Sequence, residues 1–168
     1  MIADAETLAR LSDALHERIP MTRYLEVRLI AFEPERIALA APIAPTRNHR
    51  GTAFGPGVFT TAALAPWLLL VRWMWARRVS ARIVLRHSEF RLHQPIEREF
   101  RASCEALPTI DLDTLYDIGK VRLSASAQVL AEPGDPAAIY AGHFTILHAP
   151  SDACEGDLDL PFPEAWRL

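Results

Sequence analysis

The chain has 168 residues, of which half are hydrophobic and 23% are charged, and its formal net charge is −3. This composition is typical of one globular domain with a sizeable core, and it lacks the basic excess of a nucleic-acid-binding protein. Two cysteines, Cys104 and Cys154, are too few for a disulfide framework and lack metal-site spacing. We therefore expect a cytoplasmic protein that needs no metal or cofactor.

Residues 3–18 have the pattern of an amphipathic helix. Leu8, Leu11 and Leu15 recur at helical spacing, and the charged residues mostly lie elsewhere. Pro20 ends this helix, because the residue before a proline avoids helical dihedrals. We expect the helix to cover an edge or one end of a sheet.

The next two segments, 24–32 and 36–41, are predicted to be strands. Each alternates apolar and polar residues at least in part, and Glu33-Pro34-Glu35 between them is a turn sequence. Together they predict a β-hairpin.

Residues 48–78 are the centre of the chain. Gly51, Gly55 and Gly57, with Pro56 among them, predict a tight turn that opens a helix. The helix is apolar on every face, so it must be buried on all sides. Its mostly apolar, uncharged run, 58–71, includes two threonines and a proline and is shorter than the roughly 20 residues that span a membrane, so we expect a core helix and no membrane insertion.

The start of this helix is the first functional lead. Backbone N–H groups at a helix N-terminus have no partner within the helix and can bind an anion or a polarised carbonyl. A glycine turn also has a purely structural use, since it lets backbone segments pack closely.

Four further strands are predicted at 80–94, 98–107, 119–131 and 138–148. The first is long enough that we expect a bend or bulge near His87-Ser88. Residues 108–118 are predicted as a loop or one helical turn. The order predicts an α+β fold with one antiparallel sheet wrapped around the long helix. We expect one domain over 1–150 and a loosely packed tail over 151–168.

The stretch from Asn48 to Gly55, Asn-His-Arg-Gly-Thr-Ala-Phe-Gly, resembles a family signature. The signature is Asn-x-x-Gly-Thr-Ala-Phe-Gly-Gly, and it belongs to a thioesterase family known from the C-terminal half of YiiD-type proteins and from stand-alone chains. The resemblance covers roughly residues 8–148, and Ser88 after the long helix also fits it. It implies the hotdog fold.

The resemblance also implies a function and an assembly. The substrate would be an acyl thioester of coenzyme A or of acyl carrier protein, and the protein would be a homodimer or a dimer of dimers. In hotdog enzymes generally, the thioester carbonyl lies over the N-terminus of the central helix, and the acyl chain follows the dimer interface. Backbone donors aimed at a developing oxyanion stabilise the transition state of acyl transfer.

On this basis we predict three catalytic residues, Asn48, His49 and Ser88. Asn48 would orient a water or the carbonyl, His49 would act as a general base, and Ser88 would approach from the neighbouring chain. Asn48 could instead cap the loop, and a lone loop histidine is more often only a surface residue. The predicted substrate-binding residues lie in the glycine loop and the first helical turns: Gly51, Thr52, Phe54, Gly55, Gly57, Thr60 and Thr61.

The chain departs from the family pattern at the helix start. Pro56 replaces a second glycine and has no N–H to donate. The first two turns hold no carboxylate, a group that many hotdog thioesterases use there as base or nucleophile. Two alternatives to a hydrolase therefore remain: a non-catalytic protein that binds acyl thioesters, and a hotdog hydratase or dehydratase.

Overall fold

A computed structural model of the protein describes residues 3–149. The predicted tail over 151–168 lies outside the described residues. The elements in chain order are α1 (Ala5–Arg18), α2 (Pro20–Tyr24), β1 (Arg28–Glu33), β2 (Arg36–Ala41), α3 (Gly55–Ala76), β3 (Ala81–Leu92), β4 (Phe100–Cys104), α4 (Leu112–Ile118), β5 (Lys120–Ala131) and β6 (Asp135–His148).

The six strands form one antiparallel sheet in the order β1-β2-β4-β5-β6-β3. Helix α3 packs across one face of this sheet and contacts β2, β3, β4, β5 and β6. The predicted α+β architecture, with an antiparallel sheet wrapped around one long central helix, is confirmed.

Helix α3 supplies much of the core. Val58, Ala62, Ala65 and Leu68 are completely buried, as expected for a helix without a polar stripe. By length and composition α3 could cross a membrane, but 67% of its apolar stretch is buried inside the fold, as in the core helix of a globular protein. The helix continues through Pro66, whose missing N–H leaves one helical hydrogen bond unmade.

Helix α1 covers the β1 edge of the sheet, as predicted. Leu15 of this helix is completely buried. The Ser12 hydroxyl accepts a hydrogen bond from the Leu29 N–H at 2.9 Å, and His16 Nε2 donates to the Val27 carbonyl at 2.7 Å. Side chains of α1 thus take up backbone groups beside and within β1 that would otherwise be free to pair with another strand.

The start of the first strand was predicted wrongly. Pro20 ends α1, as expected, but it also begins a second short helix, α2, which includes Tyr24. Proline suits the first turn of a helix, where its missing N–H is not needed. Glu26 then takes a left-handed conformation, with φ 52°, and β1 begins only at Arg28.

The predicted bulge in β3 is confirmed. The register with β6 shifts between Leu85 and His87, which leaves Arg86 as the extra residue. A bulge moves the side-chain alternation by one position. Buried Ile83 and half-buried Ser88 therefore share the helix side of the sheet, and exposed His87 lies on the other side. The sequence pattern had placed Ile83 with His87, which is wrong for this reason.

Strand β3 is one of the two edges of the sheet. Among residues 3–149, no strand pairs with its outer side. Three large apolar residues of this strand, Val84, Leu85 and Leu92, are each more than 40% exposed.

Candidate active site

The loop between β2 and α3 closes on itself just before the helix. Arg47 and Ala53 form an isolated antiparallel bridge. The Gly51 N–H donates to the Asn48 carbonyl at 3.0 Å, and Gly51 has φ 81°, a conformation that suits glycine. Gly51 therefore has a structural reason to be glycine, since it makes this turn possible.

The side chain of Asn48 holds the loop together. Its Oδ1 accepts from the N–H groups of Arg50 (2.8 Å) and Thr52 (3.3 Å). Its Nδ2 donates to the Thr52 hydroxyl (2.9 Å) and the Ala53 carbonyl (3.4 Å). An amide side chain has two donors and two acceptor positions, so all of them are engaged in this conformation. The Thr52 hydroxyl thus accepts one of these bonds.

His49 and Phe54 are two of the exposed side chains of this loop. His49 is exposed and has no hydrogen-bond partner among the described residues. Phe54 is 55% exposed, although it is the residue directly before α3. The loop that Asn48 holds therefore carries an exposed imidazole and, directly before the helix, an exposed aromatic ring.

The first turn of α3 has one free backbone donor. The Gly57 and Val58 N–H groups both donate to the Phe54 carbonyl, at 2.9 and 3.2 Å, and Pro56 has none to give. The Gly55 N–H has no partner within the described chain. Gly55 also lies before a proline, where a Cβ would clash with the proline ring in a helical conformation. Gly55 is therefore the donor in this turn that can bind a ligand.

Three more of the predicted binding positions have structural roles. A Cβ added to Gly57 would lie 2.7 Å from Thr46 Cγ2, so glycine is needed there for close packing. The hydroxyls of Thr60 and Thr61 donate to the carbonyls of Pro56 (2.9 Å) and Gly57 (3.1 Å), one turn earlier. Thr61 is completely buried.

A cavity of about 290 Å³ lies beside this helix start. Its wall combines α2, the short turn after β2 and the first turn of α3. Its lining residues are Met21, Leu25, Pro45, Thr46, Arg47, Phe54, Pro56, Gly57 and Thr60. The lining is mostly apolar, and an apolar cleft with a few polar groups is the usual form of a small-molecule site.

Ser88 lies elsewhere, on the helix side of the sheet. Its neighbour is Tyr140, whose hydroxyl is buried and has no partner of standard hydrogen-bond geometry among the described residues. Burial raises the pKa of Tyr140, and the nearby Ser88 hydroxyl partly offsets this. Phe59 of α3 packs edge-on against Tyr140, at 5.5 Å between ring centroids. No hydrogen bond joins Ser88 to Asn48 within the described chain.

One polar pair was missed by the sequence analysis. Ser124 Oγ and His143 Nδ1 are 2.7 Å apart, and the ring of His87 stacks on His143 at 5.5 Å. These residues lie on the sheet face opposite α3. They are far apart in sequence, and only the strand register brings them together.

Comparison with known proteins identifies the family of this chain. A family model described as "Putative thioesterase (yiiD_Cterm)" matches residues 8–148, most of the chain. The chain belongs to this family. As a member of the yiiD C-terminal family, it has the hotdog fold.

Solved structures support the fold of this yiiD C-terminal family member. The "putative thioesterase" of Shewanella oneidensis is 23% identical, with a TM-score of 0.75 over 86% of this chain and 99% of that one. A Pseudomonas aeruginosa protein described as a "probable thioesterase" is 19% identical, with a TM-score of 0.73 over 88% and 97%. A mutant thioesterase from the same organism is 13% identical, with a TM-score of 0.69 over 88% and 96%.

Proposed function

We propose that this protein is an acyl thioester hydrolase that acts on acyl-CoA or acyl carrier protein thioesters. The observation that carries the proposal is the unpartnered Gly55 N–H at the start of a 22-residue helix, beside a mostly apolar cavity. The helix dipole adds partial positive charge at that position. The family supports thioester chemistry, and the choice of carrier is our inference.

The proposed reaction begins with the thioester oxygen accepting a hydrogen bond from Gly55. The acyl chain lies against Met21, Leu25 and Phe54 in the cavity. Water attacks the carbonyl carbon while His49 takes one proton from it. The tetrahedral intermediate then collapses, the carbon–sulfur bond breaks, and His49 returns the proton to the departing thiolate. The products are a carboxylic acid and a free thiol.

The proposed role of Asn48 is to hold the loop. Because its amide is fully engaged in this conformation, orienting a water would require the loop to open. We infer that Asn48 acts as a positioning residue that presents His49 beside the helix.

We propose that two copies join through β3 to form a homodimer or a dimer of dimers in the cytoplasm. The outer side of β3 has no strand partner within residues 3–149, and apolar Val84 and Leu92 are exposed along it. Such an edge readily pairs with a second copy around a two-fold axis. In that dimer Ser88 would approach the helix start of the neighbouring subunit.

The direct test measures thiol release from acyl-CoA thioesters of increasing chain length and from acyl carrier protein thioesters. His49→Ala should lower kcat/KM by about 100-fold or more, as expected for loss of a general base. His93→Ala is the matched control, because His93 is also an exposed histidine but lies after β3. Equal losses for both variants, or no release from any substrate, would contradict the proposal.

A non-catalytic thioester-binding protein is the second candidate. It is favoured by the absence of acidic residues from the first turn of α3 and by the single free donor there. Stabilisation by an acyl-CoA in thermal unfolding, without thiol release, would identify it. A hydratase or dehydratase ranks third, because that chemistry commonly pairs a histidine with a carboxylate across the site.

A further inference from the structure

A second cavity lies on the sheet face that α3 does not cover. Its volume is about 340 Å³, and β3, β5 and β6 form it together. The polar lining residues are Arg86, His87, Arg122, Ser124, His143 and Thr145. Cavities of this size hold small organic molecules rather than a single ion. None of these residues takes part in the proposed thioester site.

The bulge at Arg86 builds one wall of this cavity. It turns His87 outward, where its ring stacks on that of His143 at 5.5 Å. His143 Nδ1 is 2.7 Å from Ser124 Oγ. If Ser124 donates, the neutral imidazole keeps its Nε2–H free. If a protonated His143 donates, Ser124 keeps its own O–H free. In either state the pair retains a donor that it does not use internally.

The charges in the cavity have one sign. Two guanidinium groups, Arg86 and Arg122, line it, and among residues 3–149 no carboxylate does. Glu89, which follows His87 on the outward face of β3, is paired with Arg91 at 3.7 Å. Arginines that share a cavity with histidines and hydroxyls provide many hydrogen-bond donors with little competing negative charge.

Thr145 adds a buried hydroxyl to the wall of this cavity. The residue is only 5% exposed, and its hydroxyl is buried without a hydrogen-bond partner among residues 3–149. A buried hydroxyl without a partner is unfavourable, and such groups usually have a functional reason. An anionic oxygen in the cavity would accept its hydrogen bond.

We propose that this cavity binds the phosphate group of a phosphorylated small molecule. Phosphate oxygens accept from several donors at once, and arginine matches their geometry with two parallel N–H groups. The volume leaves room for the organic part of a phosphate ester. The cavity shares no lining residue with the proposed thioester site and lies on the opposite face of the sheet.

The test titrates the complete protein with inorganic phosphate at constant ionic strength and follows the histidine ring signals by NMR. We expect saturable shifts at His87 and His143. Arg122→Gln should weaken binding about tenfold, the usual effect of losing one charged hydrogen-bond donor. Thr145→Val should weaken it about fivefold without lowering the urea midpoint, because it removes an unsatisfied hydroxyl.

Arg101→Gln is the matched control, since Arg101 is an exposed arginine on β4, away from the cavity. It should bind phosphate as the unchanged protein does. The absence of saturable shifts, or equal affinity of all three variants, would overturn the proposal.

A second arm identifies the source of the phosphate. Adenosine 3′,5′-bisphosphate, the nucleotide part of coenzyme A, is compared with ribose 5-phosphate. Tighter binding of the former assigns the site to a thioester carrier, and equal binding assigns it to a free phosphate ester. Thiol release and phosphate binding are both measured on the unchanged protein, which keeps the two proposals apart. Saturable phosphate binding without any hydrolase activity would overturn the thioesterase proposal alone.

Discussion

The substitution Gly57→Ala tests whether the glycine at the helix start serves packing or substrate binding. The added Cβ would lie 2.7 Å from Thr46 Cγ2 and 3.2 Å from Thr46 Cβ, whereas ordinary contacts begin at 3.4 Å. Gly57 is buried, and Thr46 is only 4% exposed, so neither side can move into solvent. Overpacking of this kind costs about 1–3 kcal/mol. Alanine regains up to about 1 kcal/mol of helix propensity.

We therefore expect Gly57→Ala to lower the free energy of unfolding by about 1–2 kcal/mol, measured in urea by tryptophan fluorescence and circular dichroism. Thr46→Ser removes the Cγ2 atom that causes the closest contact and keeps the hydroxyl. In that background the Gly57→Ala change should be nearly neutral, with a coupling energy of about 1 kcal/mol between the two positions. Additive effects, or an unchanged stability of Gly57→Ala, would refute the packing explanation.

The double variant also separates packing from function. If Gly57 serves only packing, Thr46→Ser with Gly57→Ala restores both stability and thiol release. If stability returns and kcat/KM does not, the glycine contacts the substrate directly.

Three further predictions concern the helix start, the sheet edge and the core. Pro56→Gly adds a backbone N–H to the first turn of α3. Because an oxyanion donor contributes roughly 100–1000-fold, kcat/KM for thiol release should rise at least about tenfold. An unchanged kcat/KM would mean that the thioester carbonyl does not bind at this helix start. Leu85→Lys puts a charge on the β3 edge and should convert the proposed dimer to monomers, as measured by light scattering. Ile139→Lys, at a similarly exposed site in β6, should leave the dimer intact. A dimer that persists in Leu85→Lys would exclude the β3 edge as the dimer interface. Burial raises the pKa of the Cys104 thiol. In a Cys154→Ser protein, native Cys104 should therefore react slowly with thiol reagents at pH 8, and rapid labelling of the native protein would contradict this. The stability that Cys104 contributes is complete below its unfolded pKa of about 8.5 and should be lost as the pH rises through the higher folded pKa.

The central helix and most strands could be predicted from sequence, because their patterns leave few alternatives. A helix without a polar face must be covered on all sides, and alternating strands provide one buried face to cover it. The boundaries around Pro20 were less predictable, since a proline can end one helix and begin another. Only the fold shows that both occur there.

The sites were harder to predict, because they depend on register and on local hydrogen bonding. The signature stretch located the helix start correctly. Sequence could not show that Asn48 uses all four of its hydrogen-bonding positions within the loop, or that Gly57 is packed against Thr46. The pairing of Ser124 with His143 follows from the register of β5 with β6, which no local pattern encodes.

The contacts between α1 and β1 also limit how large an assembly can grow. A sheet with two open edges can add strands from new copies at both ends and extend into a fibre. Here Ser12 and His16 occupy backbone groups at one end, and within residues 3–149 no strand pairs with the outer side of β3 at the other end. Two copies joined through β3 would therefore present a covered end on each side. In the proposed dimer, growth by strand addition would therefore end at two subunits, and a closed dimer would form instead of a polymer.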